Sequence, residues 1–211
     1  MKLGPNFYSR PAAEVAMGLI GKVLVRKIGK TRLSGMIVET EAYVGPHDLA
    51  SHASKGKTSR TSVMFGPPGR VYVYMVYGVY FCLNAVTDKL GYPAAVLIRA
   101  IEPLEGIDVM KKHRPKAVRH IDLGSGPGKI CQALSINREL NGVSLGGRRL
   151  WIESFELDPG PIAKSARIGV DYAGEYKNKQ WRFFALNNPN VSKHPFNSQS
   201  SLIVSGSKSN G

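Results

Sequence analysis

The sequence predicts an α+β fold. We expect one compact domain in which helices surround a mostly antiparallel, curved β-sheet, with a protruding hairpin that carries tyrosines. Residues 32–43 alternate like a half-buried strand. Residues 71–84 are rich in β-branched and aromatic side chains, which favour strands. The 211 residues suffice for one well-packed domain, and no repeat or linker divides them.

The elements can be placed in order along the chain. Apolar side chains recur at helical spacing over residues 9–21, with Pro11 near the start of this helix. The segment from Gly45 to Pro68 is polar and long, as functional or mobile loops are. Ser, Asn and Gly enrich the chain end, so we expect a domain over 1–195 and a disordered tail over 196–211. The other expected elements are strands at 23–25, 94–100, 150–152 and 181–185, and helices over 103–113 and after 124–128.

Charge is the first indication of a partner. The chain has 29 Lys and Arg against 15 Asp and Glu, a formal net charge of +14. Basic side chains release counterions when they bind phosphates, so a nucleic acid is the favoured partner. A membrane surface is the alternative, but no basic amphipathic helix and no run of eighteen apolar residues is found in the sequence.

The cysteines and histidines indicate whether the chain could form disulfides or bind a metal ion. Cys82 and Cys131 form neither a disulfide framework nor a CxxC pair, so we expect buried thiols in a reducing compartment. The first five residues lack the apolar stretch of a secretory signal, and we expect a cytoplasmic protein, nucleoid-associated if bacterial. The five histidines are widely spaced without an HExxH pattern, so we expect neither a metal nor a cofactor.

Two carboxylates lie beside an aromatic side chain on one predicted strand face. Glu39, Glu41 and Tyr43 are two residues apart, which is the repeat of a strand. Such a group could activate water for attack at an anomeric carbon. A solvent-facing polar edge is the other interpretation, and this motif alone favours it.

A tyrosine-rich hairpin is the stronger signal. Tyr77 and Gly78 suit a turn between two strands, which would present the Tyr77 ring outward on a rigid ribbon. A ring so placed could enter a base stack and fill the gap left by an extruded nucleotide. For Tyr72 and Tyr80, packing within the sheet is the favoured interpretation. His52 and the basic residues that follow in the polar loop suit phosphate contacts or a solvated surface.

A glycine-rich string, IDLGSGPG over residues 121–128, points in another direction. It resembles the cofactor-binding turn of S-adenosylmethionine-dependent methyltransferases. However, no buried strand precedes it, no βαβ series surrounds it, and no acidic residue closes a strand about twenty positions later. A methyltransferase therefore stays an alternative with little support.

Taken together, these strings resemble the alkyladenine (3-methyladenine) DNA glycosylases of the mammalian type, which also occur in bacteria. The resemblance extends from about residue 5 to residue 192. Its strings are FYSRP (7–11), LIGK (19–22), VETEAY (38–43), GP (45–46), ASH (50–52), MF (64–65), YVYMVYGVYFCLN (72–84), VLIRAIEP (96–103), GP (126–127), KICQA (129–133), IGV (168–170) and AGE (173–175).

The resemblance implies a role for each matched residue. Glu41 would be the general base that positions the attacking water, and Arg99 would help to hold both. Asn84 would lie under the purine edge and oppose the exocyclic amine of normal guanine. Tyr77 would be the wedge that replaces the flipped nucleotide. Three side chains would sandwich the base, namely Tyr43, His52 and Tyr74; the expected DNA-backbone contacts are Thr58, Arg60 and Tyr80.

The resemblance also implies the reaction, in which a monomer acts on double-stranded DNA that contains damaged purines. An electron-rich aromatic pocket suits cationic alkylated purines, and hypoxanthine would need protonation to leave. No lysine falls in the pocket strings, so we expect hydrolysis to an abasic site without strand cleavage. Val79 stands where some members carry a bulkier side chain at the wedge, and loop 47–63 matches only loosely, so lesion fit and range could differ. Asp171 and Tyr172 belong to a segment that lines the pocket in the family, where the extra carboxylate would either alter the substrate range or face solvent. A non-catalytic lesion- or DNA-binding protein is the alternative.

Overall fold

The computed structural model describes residues 1–155 and 157–203. Within these residues, nine strands and five α-helices form one α+β domain. The strands are β1 (Val23–Ile28), β2 (Thr31–Tyr43), β3 (Val71–Val76), β4 (Tyr80–Thr87), β5 (Ala94–Glu105), β6 (Leu150–Glu153), β7 (Ile162–Ser165), β8 (Arg182–Ala185) and β9 (Ser201–Leu202). The helices are α1 (Pro5–Tyr8), α2 (Ala12–Leu19), α3 (Ile107–His113), α4 (Ile121–Gly124) and α5 (Pro127–Ala133).

The strands form one antiparallel sheet in the order β3-β4-β5-β2-β8-β7-β9, and β1 pairs with both β2 and β6. The long strand β2 is central, because it is hydrogen-bonded to β5 on one side and to β1 and β8 on the other. Its register against β5 shifts at Ser34/Gly35 and around Glu39. Register shifts of this kind bend a strand, which accounts for the predicted curvature.

Helices pack on the sheet and bury its apolar side chains. The Thr40 hydroxyl donates to the Ala16 carbonyl at 2.8 Å, which ties α2 to β2. Gly124, at the end of α4, has no room for a side chain, because a Cβ there would lie 2.3 Å from the Ile101 carbonyl oxygen of β5. The glycine-rich string therefore docks a helical pair against the sheet, and its composition needs no cofactor to explain it.

Two predicted helices have different boundaries in the structure. The helix predicted over 103–113 is wrong at its start, because β5 continues through Pro103, which pairs with Gly35 in β2. The helix begins only after Gly106, whose φ of 74° suits glycine. The first helix is shorter than predicted, since Pro11 is the N-cap residue and α2 begins at Ala12.

Part of the segment predicted as a disordered tail from residue 196 has regular structure. Residues Pro195–Asn197 form a 3₁₀ turn, and β9 pairs with β7. Asn197 explains the order, since its side-chain oxygen accepts a hydrogen bond from the buried Arg182 at 2.9 Å. The remainder of the predicted tail, 204–211, lies outside the described residues.

Candidate active site

A cavity of about 590 Å³ opens between the β3–β4 hairpin, the loop after β2 and the segment 168–172. This volume is typical of a small-molecule site. The cavity collects most of the side chains that the sequence nominated. They are Tyr43, His52, Arg60, Tyr74, Tyr77, Asn84 and Arg99.

Glu41 lies directly behind the wall of this cavity and is fully buried. Its Oε1 accepts a hydrogen bond from the Ile168 N–H at 2.7 Å. Its Oε2 accepts from the Tyr43 hydroxyl at 2.9 Å and from Arg99 Nη1 at 3.3 Å. An ionised carboxylate only accepts hydrogen bonds and therefore matches these three donors. The interpretation of this strand face as a solvent-exposed edge is wrong.

A buried charge network supports Glu41 from one side. Arg99 donates to both Glu39 and Glu41, and Arg182 donates to Glu39 at 2.6 Å. Burial alone would raise the pKa of Glu39, but Arg99 and Arg182 bring it below its ordinary value. Burial alone would likewise lower the pKa of Arg99, but Glu41 and Glu39 raise it. Glu39 and Arg99 thus remain charged, as buried ions do when paired.

Aromatic rings form another wall of the cavity. The His52 ring packs edge-on against Tyr74 with centroids 4.5 Å apart, and its Nδ1 shares a hydrogen bond with the Tyr72 hydroxyl at 3.0 Å. Burial, reinforced by the charge of Arg60, lowers the pKa of His52 to about 4. The imidazole is therefore neutral at pH 7 and adds no positive charge to the cavity.

Asn84 lies on the cavity floor in β4. It is buried, and its Nδ2 donates to the Tyr72 carbonyl at 3.1 Å. Since an amide presents its nitrogen and oxygen on opposite sides, this bond fixes the orientation of the side chain toward the cavity.

The hairpin tip projects into solvent beside the cavity. Tyr77 has a φ of 52° and Gly78 a φ of 69°, a pair of left-handed residues typical of a tight hairpin turn. The Tyr77 side chain is 91% exposed, and Val79 beyond it is 65% exposed. Tyr80, 43% exposed, adds to these side chains, and neighbouring exposed apolar groups of this kind mark a surface that a partner can cover.

The three residues expected at the DNA backbone are separated by the structure. Arg60 lies in the cavity, with its guanidinium carbon 5.2 Å from the Tyr74 ring centroid. Thr58 is exposed in the adjacent loop, where its backbone N–H donates to the Thr61 hydroxyl. Tyr80 lines a second groove of about 640 Å³ on the other side of the tip. Basic side chains also line this groove, namely Arg114, Lys116 and Lys129.

Sequence reasoning missed several residues of the site. Tyr72 was assigned to sheet packing, yet its hydroxyl holds His52 in the cavity wall. The backbone N–H of Ile168 carries no side-chain signal, although it is the shortest contact to Glu41. The resemblance implied that the segment with Asp171 and Tyr172 lines the pocket, and Tyr172 does line the cavity and donates to the Ala50 carbonyl at 3.3 Å. Asp171 lines a separate pocket instead.

Two further findings concern the described residues alone. Among them, no three His, Cys, Asp or Glu side chains gather closely enough to hold a metal ion. No helix in these ranges has both the length and the apolar character needed to cross a membrane.

A buried carboxylate behind an aromatic cavity, next to a protruding aromatic tip, is the arrangement of a DNA glycosylase. A family model described as methylpurine-DNA glycosylase matches residues 6–189, and the chain belongs to this family. A protein of Methanocella arvoryzae is 54% identical over 193 residues, which cover 89% of this chain and 94% of the relative. One of Alkaliphilus oremlandii is 45% identical over 201 residues, covering 92% and 100%. Both relatives bear the name "Putative 3-methyladenine DNA glycosylase".

Proposed function

We propose that this protein flips alkylated or deaminated purines out of duplex DNA and hydrolyses their N-glycosidic bond, leaving an abasic site. The lesions are of the 3-methyladenine, 7-methylguanine and hypoxanthine class. The observation that carries the proposal is the Glu41 carboxylate, held by three donors at the back of an aromatic cavity. The names of the relatives support 3-methyladenine as a substrate.

In the proposed reaction, the oxygen of a water molecule attacks C1′ of the deoxyribose and gives a proton to Glu41. The electron pair of the C1′–N bond leaves with the purine. A cationic alkylated purine departs as a neutral base, whereas hypoxanthine must gain a proton. The attacking water would reach Glu41 from the cavity, beside Tyr43 and Arg99, which line the cavity and donate to the carboxylate.

The surroundings of the cavity support binding of a damaged purine. Neutral His52 and the rings of Tyr43 and Tyr74 offer an electron-rich pocket to a cationic base. The oriented amide of Asn84 would oppose the exocyclic amine of guanine. Tyr77 would occupy the gap in the duplex, and the basic groove beside it would bind the DNA backbone.

Hydrolysis without strand cleavage completes the proposal. Among the described residues that line the cavity there is no lysine, so no amine is placed to form a Schiff base with C1′. We propose action as a monomer in the cytoplasm, at the nucleoid if the host is bacterial, with no cofactor. The thiols of Cys82 and Cys131 are free and buried, which suits a reducing compartment.

The test is single-turnover cleavage of duplexes that contain one hypoxanthine or one methylated purine. We expect wild-type protein to create alkali-labile sites, with strands intact before alkali and no borohydride-trapped adduct. Glu41→Gln keeps the size of the side chain and should abolish cleavage. The control Glu102→Gln alters a carboxylate of β5 that contacts Asn188 away from the cavity, and should leave the rate unchanged.

Two results would overturn the proposal. Tight binding of lesion DNA by a wild-type protein that cleaves none of the duplexes would leave a non-catalytic lesion-binding protein. Full activity in Glu41→Gln would remove Glu41 from the chemistry.

A further inference from the structure

A buried ion pair lies behind the cavity, outside the groups assigned above. Arg167 Nη1 donates to Asp48 Oδ2 at 2.6 Å, and Nη2 donates to Oδ1 at 2.8 Å. Both side chains are fully buried. Removing two charges from water costs about as much as their attraction returns, so stability alone is a weak reason for such a pair. Its other contacts indicate what it does.

The guanidinium of Arg167 is hydrogen-bonded to the end of β2. Its Nη1 also donates to the carbonyl of Ala42, the residue between Glu41 and Tyr43, at 2.9 Å. Its central carbon lies 4.9 Å from the centroid of the Tyr43 ring. The planar guanidinium of Arg167 therefore fixes the backbone between Glu41 and Tyr43, and it also holds the Tyr43 ring.

Asp48 extends the same connection to the loop that carries His52. Its Oδ2 accepts from the Val44 N–H at 3.0 Å, and its Oδ1 accepts from the Ala50 N–H at 3.1 Å. The carboxylate thus closes the turn that follows β2, and both of its oxygens also bind Arg167.

The link to Glu41 runs through the backbone. Arg167 immediately precedes Ile168, whose N–H donates to Glu41 Oε1 at 2.7 Å. The Arg167 side chain is anchored on β2 and also donates to the Tyr176 carbonyl at 3.2 Å. Anchoring at residue 167 therefore sets where the next N–H points.

We infer that Arg167, paired with Asp48, is a positioning residue of the glycosylase. It holds the Ile168 N–H on Glu41 and the Tyr43 ring against the cavity. Arg167 does not line the cavity and its side chain is fully buried, so its effect is exerted through its neighbours. The inference rests on the proposed function, since it concerns the groups that would carry out that reaction.

The test compares Arg167→Lys with the matched control Arg26→Lys. Lysine keeps a charge beside Asp48 but cannot reproduce the planar fork. Arg26 is also buried in the sheet, donates to backbone carbonyls of Lys27 and Arg149, and does not line the cavity. We expect Arg167→Lys to lower the maximal single-turnover rate about 10- to 100-fold. Its affinity for a duplex with a stable abasic-site analogue should change by less than about threefold.

A second readout does not depend on activity. Hydrogen exchange of the Ile168 amide reports directly on its bond to Glu41, and we expect it to accelerate about tenfold or more in Arg167→Lys. The control Arg26→Lys should match wild type in rate and in Ile168 exchange. If Arg167→Lys does not fold, Asp48→Asn, which retains an acceptor for the Val44 N–H, is measured in the same way.

The outcomes separate this inference from the proposed function. If wild type cleaves no lesion but Ile168 exchange accelerates in the variant, the proposed function fails and the positioning role stands. If wild type is active and Arg167→Lys retains its rate and its exchange, the inference is overturned. The inference is also overturned if Arg167→Lys and Asp48→Asn both fail to fold, since the ion pair then serves the fold alone.

Discussion

The hydroxyl of Tyr43 donates a hydrogen bond to Oε2 of Glu41 at 2.9 Å, two residues away on the same face of β2. Burial, together with the neighbouring charge of Glu41, raises the pKa of Tyr43, so the hydroxyl keeps its proton and remains a donor. One side chain therefore contributes a ring to the cavity and a hydroxyl to the proposed base. The two contributions can be separated by mutation.

Tyr43→Phe removes the hydroxyl and keeps the ring. A hydrogen bond to a charged group contributes roughly 1.5–3 kcal/mol, so we expect the single-turnover cleavage rate to fall about tenfold or more. Affinity for lesion DNA should stay close to that of wild type. Tyr92→Phe is the control, because the Tyr92 hydroxyl forms a long hydrogen bond of 3.4 Å to exposed His47, away from Glu41. An unchanged rate in Tyr43→Phe would show that the hydroxyl does not support the base.

Tyr77→Ala tests the wedge at the hairpin tip. The ring is 91% exposed, so we expect its removal to change the free energy of unfolding by less than about 0.5 kcal/mol. Excision from duplex DNA should fall about tenfold or more, because nothing then fills the gap left by the flipped base. Excision from a single strand should be unaffected. Leu90→Ala, which removes an exposed apolar side chain that lines neither the cavity nor the groove, is the control; an equal loss on single-stranded DNA would contradict a wedge.

The sequence allowed the local part of this site to be predicted. Strand periodicity places Glu41 and Tyr43 on one face, and the Tyr77-Gly78 pair marks the turn, since both features depend on neighbours in the chain. The resemblance to a family supplied the rest of the nominated cavity residues. These predictions extend to an α+β domain with a large antiparallel sheet, which the structure confirms.

Contacts between residues far apart in the chain could not be predicted from the sequence. Arg182 bonds Glu39 across 143 positions, and Ile168 bonds Glu41 across 127 positions. Neither partner carries a pattern of its own, because a single arginine or a backbone N–H has no periodicity to detect. Gly124 shows the same limit. The glycine-rich string around Gly124 resembles a cofactor-binding turn in the sequence. The structure gives another reason for the glycine, because a Cβ at Gly124 would lie 2.3 Å from the Ile101 carbonyl oxygen.

His52 predicts a dependence of stability on pH. Its pKa is about 4 in the folded protein, below the ordinary value of 6.5. Between these values the unfolded chain binds a proton that the folded protein does not, so the free energy of unfolding falls as the pH drops from 6.5 to 4. Partial solvent exposure reduces the effect to on the order of 1 kcal/mol.

The measurement for His52 is urea unfolding of wild type and His52→Gln at pH 7, 6 and 5. We expect wild type to lose more stability than the variant as the pH falls, because glutamine binds no proton. Parallel pH dependence in the two proteins would show that His52 titrates normally in the folded state.

Arg60 predicts an effect on lesion preference. Its guanidinium lies over the Tyr74 ring inside the cavity, where it repels a cationic base and not a neutral one. Arg60→Gln should therefore raise the excision of 7-methylguanine relative to hypoxanthine, by about three- to tenfold for one partly screened charge near the base. The ratio of the two single-turnover rates at saturating enzyme is the measurement, because weaker binding to the DNA backbone then cancels. Lys57→Gln, which removes a charge from the same loop without lining the cavity, is the control. A ratio that stays unchanged in Arg60→Gln would contradict this role and would agree with the DNA-backbone contact that the family resemblance implies. A ratio that falls, or one that changes equally in Lys57→Gln, would also show that Arg60 does not repel the cationic base.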